Sequence, residues 1–159
     1  MTHPRGRLIV ISGLPGAGKT TRALELAGQT GGTRFAPDDW MERLGIDLWD
    51  SDARGRIEAL QFDVAVDLIR LGGVAIIEWG TWAREERDRL RQAARDHGAR
   101  DELVYCSATP DELYARISAR NSEQPPITRA QVHEWAGIIE TPTVEEQALF
   151  DPPLEAPRD

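Results

Sequence analysis

The 159-residue sequence has one cysteine, Cys106, which excludes an intrachain disulfide and a multi-cysteine zinc site and fits a reducing, cytoplasmic setting. Long apolar runs are missing too. The first, Leu8 to Ile11, has four residues, far short of a signal core or a membrane span, so neither export nor membrane attachment is expected. Histidine is scarce: His3, His97 and His133 are scattered, without partners at metal-ligand spacing. Positive charge is also short, since 19 Lys and Arg against 27 Asp and Glu leave a net charge of −8. Nucleic-acid affinity comes largely from cations that neutralise phosphates, so DNA and RNA are disfavoured as partners except through a local basic groove. No internal repeat or low-complexity tract is present.

What remains is the composition of one soluble, globular, acidic domain over residues 1–159, 40% hydrophobic, with charges of both signs interspersed. A chain of this length buries a core without a metal or disulfide staple. Only the proline-rich stretch 151–159 reads as an extended, frayed tail.

Leu8-Ile9-Val10-Ile11 reads as a strand buried on both faces, the kind found in parallel sheets. A helix over Thr21–Gln29 follows, stopped by Gly31-Gly32. Arg56–Leu71, with Ile57, Leu60, Val64, Leu68 and Leu71 at three- and four-residue steps, predicts an amphipathic helix ended by Gly72-Gly73. Val74–Ile77 predicts a second strand, Ala83–His97 a helix closed by Gly98, and Glu102–Ser107 a third strand that places Cys106 as a small buried hydrophobe. Helices over 110–121 and 128–140 complete the pattern, the second opened by a Thr128…Gln131 capping box. Strands separated by helices predict a three-layer α/β architecture, a parallel sheet flanked by helices. Arg84, Arg87, Arg89 and Arg91 alternate with Glu85, Glu86 and Asp88, the pattern of a solvated helix face.

Between the first strand and the first helix lies Gly13-Leu14-Pro15-Gly16-Ala17-Gly18-Lys19-Thr20, a full G-x-x-x-x-G-K-[ST] match in the position the motif requires. Such a loop curls backbone N–H groups around phosphate oxygens, with the positive end of the following helix behind them. Lys19 is expected on the β- and γ-phosphates and the Thr20 hydroxyl on Mg²⁺, with Thr21 completing the nucleotide-binding stretch. No Asn-Lys-x-Asp run for guanine occurs, so ATP is the expected nucleotide.

From about Leu8 to Glu140 the sequence resembles small P-loop kinases of the polynucleotide-kinase and zeta-toxin type. The resemblance implies a P-loop NTPase fold, nucleoside-kinase-like with a short lid. Pro37-Asp38-Asp39-Trp40 matches the family's Arg-Asp-Asp-Tyr run, whose first aspartate activates the acceptor hydroxyl, so Asp38 inherits that role. Asp39…Glu42 reads separately as a capping box, which leaves Asp38 spare near a strand end. Where the family places Asp-Ala-Thr-Asn or similar, this chain has Glu78-Trp79-Gly80-Thr81, and Glu78 is expected on Mg²⁺ or on the acceptor. Arg116 and Arg120 fall where the family carries lid arginines that clamp the transferring phosphoryl group, before a short lid, Asn121–Ile127.

Residues 38–52 carry six acids against Arg43, a net −5 in fifteen residues, an unfavourable floor for a polynucleotide. A small hydroxylated acceptor, such as a nucleoside, sugar or amine-bearing natural product, is therefore expected, with Trp40, Trp79 and Trp82 as its apolar wall. The expected activity is ATP-dependent phosphoryl transfer to an alcohol, with Lys19, Asp38, Arg116 and Arg120 as catalytic residues. The alternatives are a polynucleotide 5′-hydroxyl kinase and, from another class, an ATP-dependent binding module or slow ATPase. Oligomeric state is not legible.

Overall fold

A computed structural model describes residues 5–154; His3 and residues 155–159 of the expected tail lie outside the described residues. The chain runs β1 (Arg7–Ser12), α1 (Lys19–Thr30), β2 (Thr33–Phe35), α2 (Pro37–Leu44), α3 (Ser51–Arg70), β3 (Val74–Gly80), α4 (Arg84–Asp96), β4 (Arg100–Tyr105), α5 (Pro110–Arg120), α6 (Arg129–Ile138) and α7 (Val144–Gln147). The four strands form one parallel sheet in the order β2-β3-β1-β4.

Both faces of the sheet are covered, which explains why β1 and β3 are apolar without alternation. Ile9, Ile11 and Ile76 pack with Ala23 and Leu26 of α1 on one side. Leu8, Val10, Ala75 and Ile77 meet Ala65 and Ile69 of α3 and Leu90 and Ala94 of α4 on the other. A third cluster, Leu14, Ala17, Leu113, Ile117, Ile127 and Val132, seats α5 and α6 against the glycine loop. The expected three-layer P-loop architecture is the one observed, and no helix of the described residues is long and apolar enough to cross a membrane.

Several sequence expectations shift. The three-residue β2 has no apolar run to announce it, and pairs through Thr33, Arg34 and Phe35 with Ala75, Ile76 and Ile77. α3 begins at Ser51, five residues before the expected start, because the Asp50 side chain accepts from Ala53 N at 2.9 Å as an N-cap. Its buried face is Ala53, Ile57, Gln61, Ala65 and Ile69, and Leu60, Val64 and Leu71 are exposed. These five recur at four-residue steps, one stripe of the helix, and its Ala65 and Ile69 pack in the cluster with β1, β3 and α4.

Arg87 departs furthest from the expected solvated face, being 0% exposed. Its guanidinium donates to Glu146 of α7, to the carbonyls of Thr81 and Trp82, and to the carbonyl of Glu140. β4 starts and ends two residues earlier than expected, so Cys106 follows the strand and is only half-buried. Residues 151–154 lack regular structure but are tied down: Asp151 N donates to Asp101 O at 2.7 Å and Arg100 to Pro152 O at 2.6 Å. The Thr128–Gln131 capping box forms as expected.

Candidate active site

The glycine loop joins β1 to α1. Gly16 has φ +82, and a Cβ there would lie 2.8 Å from Leu113 O; Gly18, with φ +93, caps α1. No side chain caps α1 and no acid stands in its first turn, so the positive end of the helix is left for an anion. Lys19 Nζ bends back to Leu14 O at 2.8 Å. Burial lowers its pKa to about 8, and the neighbouring charge of Arg120 adds to that, while Glu78, Cys106 and Asp38 pull it upward.

Beside the loop the carboxyl ends of the strands open into a cleft of about 620 Å³. Thr20 Oγ1 donates to Glu78 Oε1 at 2.6 Å, and Arg34 of β2 pairs with Glu78 and, at 2.5 Å, with Asp39. Burial works against the Arg34 charge, but the bonds to Glu78 and Asp39 outweigh it and raise its pKa. The sheet register slips here: Val10 faces Ile77, but Ser12 faces Gly80. This bulge puts both Glu78 and Trp79 on the cleft, where regular alternation would turn one away.

On the opposite wall Asp38 pairs with Arg54 of α3. α2 begins at Pro37 with Ala36 as N-cap, so the Asp39…Glu42 capping box does not form and both aspartates occupy the first turn. Behind this pair, burial pushes Glu58 up to about 7, with Arg54 opposing and Glu86 and Asp38 reinforcing the shift. The lid residue Glu123 is buried and accepts from Arg120 at 3.0 Å. Trp49 Nε1 donates to Pro125 O at 3.1 Å, so the loop between α2 and α3 meets the segment between α5 and α6.

Lys19, Thr20, Asp38, Glu78, Trp79, Trp82 and Arg120 all line the cleft, as expected of neighbours in one site. Pro15 also lines it, whereas Gly13, Leu14, Gly16, Ala17, Gly18 and Thr21 of the expected nucleotide-binding stretch do not, and neither do two of the expected catalytic and acceptor-side residues. Trp40 packs on the core cluster around Phe35, and Arg116 bonds the loop carbonyl of Gly16 at 3.0 Å from outside. Trp79 is fixed by its bond to Gln61 Oε1 at 2.8 Å, and Trp82 packs against Trp135 in a tilted arrangement, 5.7 Å between centroids and 51° between planes. Trp49, Trp135, Arg34 and Arg54 were missed as site residues. No local motif marks either arginine, because each is defined by the carboxylate it meets across the fold.

The negative floor inferred from residues 38–52 also needs correction. Asp38 and Asp39 are neutralised by Arg54 and Arg34, Asp50 caps α3, and Asp47 accepts from Trp49 N. Around the cleft six carboxylates (Asp38, Asp39, Glu42, Glu78, Glu86, Glu123) face four cations (Lys19, Arg34, Arg54, Arg120), a far milder excess. The sequence count, six acids and Arg43, missed the partners of Asp38 and Asp39 because they come from α3 and β2.

Residues 8–142 match the profile of a family described as AAA domain, and the chain belongs to that family. No curated protein matches the sequence. Among solved structures, a gluconokinase from Sinorhizobium meliloti is 19% identical with a TM-score of 0.59, over 91% of this chain and 81% of that one. Kti12 from Chaetomium thermophilum, in complex with ADP-AlF3, is 18% identical with a TM-score of 0.63, over 86% and 81%. A chain of the Pnkp1/Rnl/Hen1 RNA repair complex is 19% identical with a TM-score of 0.70, over 94% of this chain but 48% of its own length. At these identities the likeness is one of fold: a P-loop kinase-like architecture.

Proposed function

We propose that the protein is an ATP-dependent kinase that phosphorylates a hydroxyl group of a small molecule. The observation that carries this reading is the meeting of Lys19, Thr20, Glu78, Arg120 and Asp38 around one cleft. In that reading Lys19 and the loop amides hold the triphosphate, and Arg120 offsets charge that develops on the transferring group. Asp38 accepts the proton as the acceptor oxygen bonds to the γ-phosphorus; the bond from that phosphorus to the bridging oxygen breaks and ADP leaves. Arg116, held at the loop carbonyl, is assigned to supporting the loop.

The donor set suits Mg²⁺. Thr20 and Glu78 offer a hydroxyl and a carboxylate oxygen 2.6 Å apart, and this ion is usually held by one or two such groups plus phosphate oxygens and water. Among the described residues no cluster of three His, Cys, Asp or Glu is placed to hold a metal ion. Thr20 and Glu78 would hold the ion, which supplies charge neutralisation at the phosphates.

A small acceptor is favoured by the cleft, whose volume is typical of small-molecule pockets and whose lining residue Trp49 is held by its bond to Pro125. The fold likeness to a gluconokinase agrees with that size. Arg34 and Arg54 favour a second reading, a polynucleotide 5′-hydroxyl as acceptor, since both could meet phosphates. Incubation with γ-labelled ATP and a panel of sugars, polyols, nucleosides and 5′-hydroxyl oligonucleotides separates the two. Label on a small alcohol supports the first reading, label only on oligonucleotides the second. Steady hydrolysis without any labelled acceptor, unchanged in Asp38→Asn, supports a nucleotide-driven binding module instead.

A further inference from the structure

The residue after β3 carries two anomalies at once. Thr81 has φ +43, and a β-branched side chain there is a genuine outlier; the other non-glycine residue with positive φ among those described, Asn121, caps α5 in the usual way. Thr81 is also 3% exposed, and its hydroxyl has no hydrogen-bond partner. Of the five orphaned buried polar atoms among the described residues, it alone belongs to a residue lining the cleft.

The surroundings hold this conformation deliberately. Ser12 Oγ donates to Thr81 O at 3.0 Å and the buried Arg87 donates to the same carbonyl at 2.8 Å, so the backbone is pinned from β1 and from α4. Strain and an unsatisfied hydroxyl both cost stability, and they persist together where a ligand uses them. One staggered step about χ1 carries the hydroxyl to the place of the methyl group and the methyl to that of the β-hydrogen, which turns the hydroxyl without moving the pinned backbone.

We infer that Thr81 is an acceptor-binding residue: its hydroxyl hydrogen-bonds a second polar group of the acceptor, between Glu78 and Trp82. The acceptor is then a polyhydroxylated or otherwise multiply polar molecule, bound at two points, with the reacting hydroxyl at Asp38. This assignment rests on the kinase reading above.

The test compares the wild type with Thr81→Val, which keeps the shape and branching, and Thr81→Ser, which keeps the hydroxyl. The probes are ATP and whichever panel compound the wild type labels. In Thr81→Val, ATP affinity is expected to stay within about twofold and the thermal midpoint of the free protein to hold or rise, while KM for the acceptor rises tenfold or more; Thr81→Ser restores it. An unchanged acceptor KM in Thr81→Val overturns the assignment, as does a fall in its thermal midpoint, a loss of ATP affinity, or no rescue by serine. A wild type that binds ATP and labels nothing overturns the kinase reading and this assignment with it, whereas labelling by wild type and Thr81→Val alike overturns this assignment alone.

Discussion

Thr20 Oγ1 donates to Glu78 Oε1 at 2.6 Å, joining the start of α1 to the end of β3 across 58 residues of sequence. This contact ties the phosphate loop to the acidic end of its neighbouring strand. Replacing Glu78 with Gln keeps the size and the hydrogen-bond acceptor but removes the charge. Phosphoryl transfer is expected to fall by roughly 10²-fold or more, with the concentration of Mg²⁺ for half-maximal rate increased. Magnesium titrations of the initial rate check this, and an unaltered magnesium requirement counts against a role for Glu78 at the metal.

Lys19 is the only lysine in the sequence, and its pKa is lowered to about 8. Binding of a polyanion restores its charge, so nucleotide binding is expected to take up a proton above pH 8. Since the charged form is the one that binds, affinity falls as pH rises through 8, by up to about tenfold per unit. Calorimetry in two buffers of different ionisation enthalpy reads the proton directly. Amine-directed acylation near pH 8 is expected to modify Lys19 and to be blocked by ATP; equal modification with and without ATP contradicts the placement of the triphosphate.

Asp38 is paired with Arg54, and the two act on the acceptor side of the cleft. Asp38→Asn is expected to lower transfer by about 10²–10⁴-fold while ATP affinity stays unchanged, because the carboxylate meets the hydroxyl and not the donor. Single-turnover labelling beside equilibrium nucleotide binding separates the two effects.

Glu58 and its raised pKa, about 7, give a stability signature. Its folded form holds a proton that the unfolded chain has released above its ordinary value of 4.5, so this residue's contribution is present below pH 4.5 and is lost as pH rises through 7. Glu58→Gln is expected to be no more stable than the wild type at pH 4 and more stable at pH 8. Thermal midpoints across that range decide it, and a constant difference between the two proteins refutes it.

Arg87 and Glu146 form an ion pair with side chains 0% and 1% exposed. Arg87→Met leaves the buried carboxylate with only Arg84, 3.9 Å away, and releases the carbonyls of Thr81, Trp82 and Glu140, a cost of about 3–5 kcal/mol, or roughly 10 °C in thermal midpoint. Adding Glu146→Leu is expected to recover much of the loss; a double variant as unstable as the single one assigns the damage to the freed carbonyls.

The loop Gly13–Thr20, both buried strands around it and most helix limits were legible in the sequence, because they depend on near neighbours: glycine spacing, apolar runs, capping residues and stop glycines. Even the Thr128 cap was set by a residue three positions away. The arginines were not legible. Arg54 and Arg87 sit in stretches that look like ordinary charged surface and Arg34 in a short polar stretch with no motif, and each finds its partner across the fold, 44 residues away at Glu78 for Arg34, 16 at Asp38 for Arg54 and 59 at Glu146 for Arg87.

Local sequence thus determined that a phosphate-binding loop stands between a buried strand and a helix, since backbone angles, periodicity and capping act within a few residues. Only the tertiary structure decided the charge of the cleft, the inward turn of Glu78 and Trp79 together, and the burial of Arg87. Those depend on sheet register and on which side chains meet through space, and a Coulomb or packing energy is set by separation in the folded chain, not by distance along it.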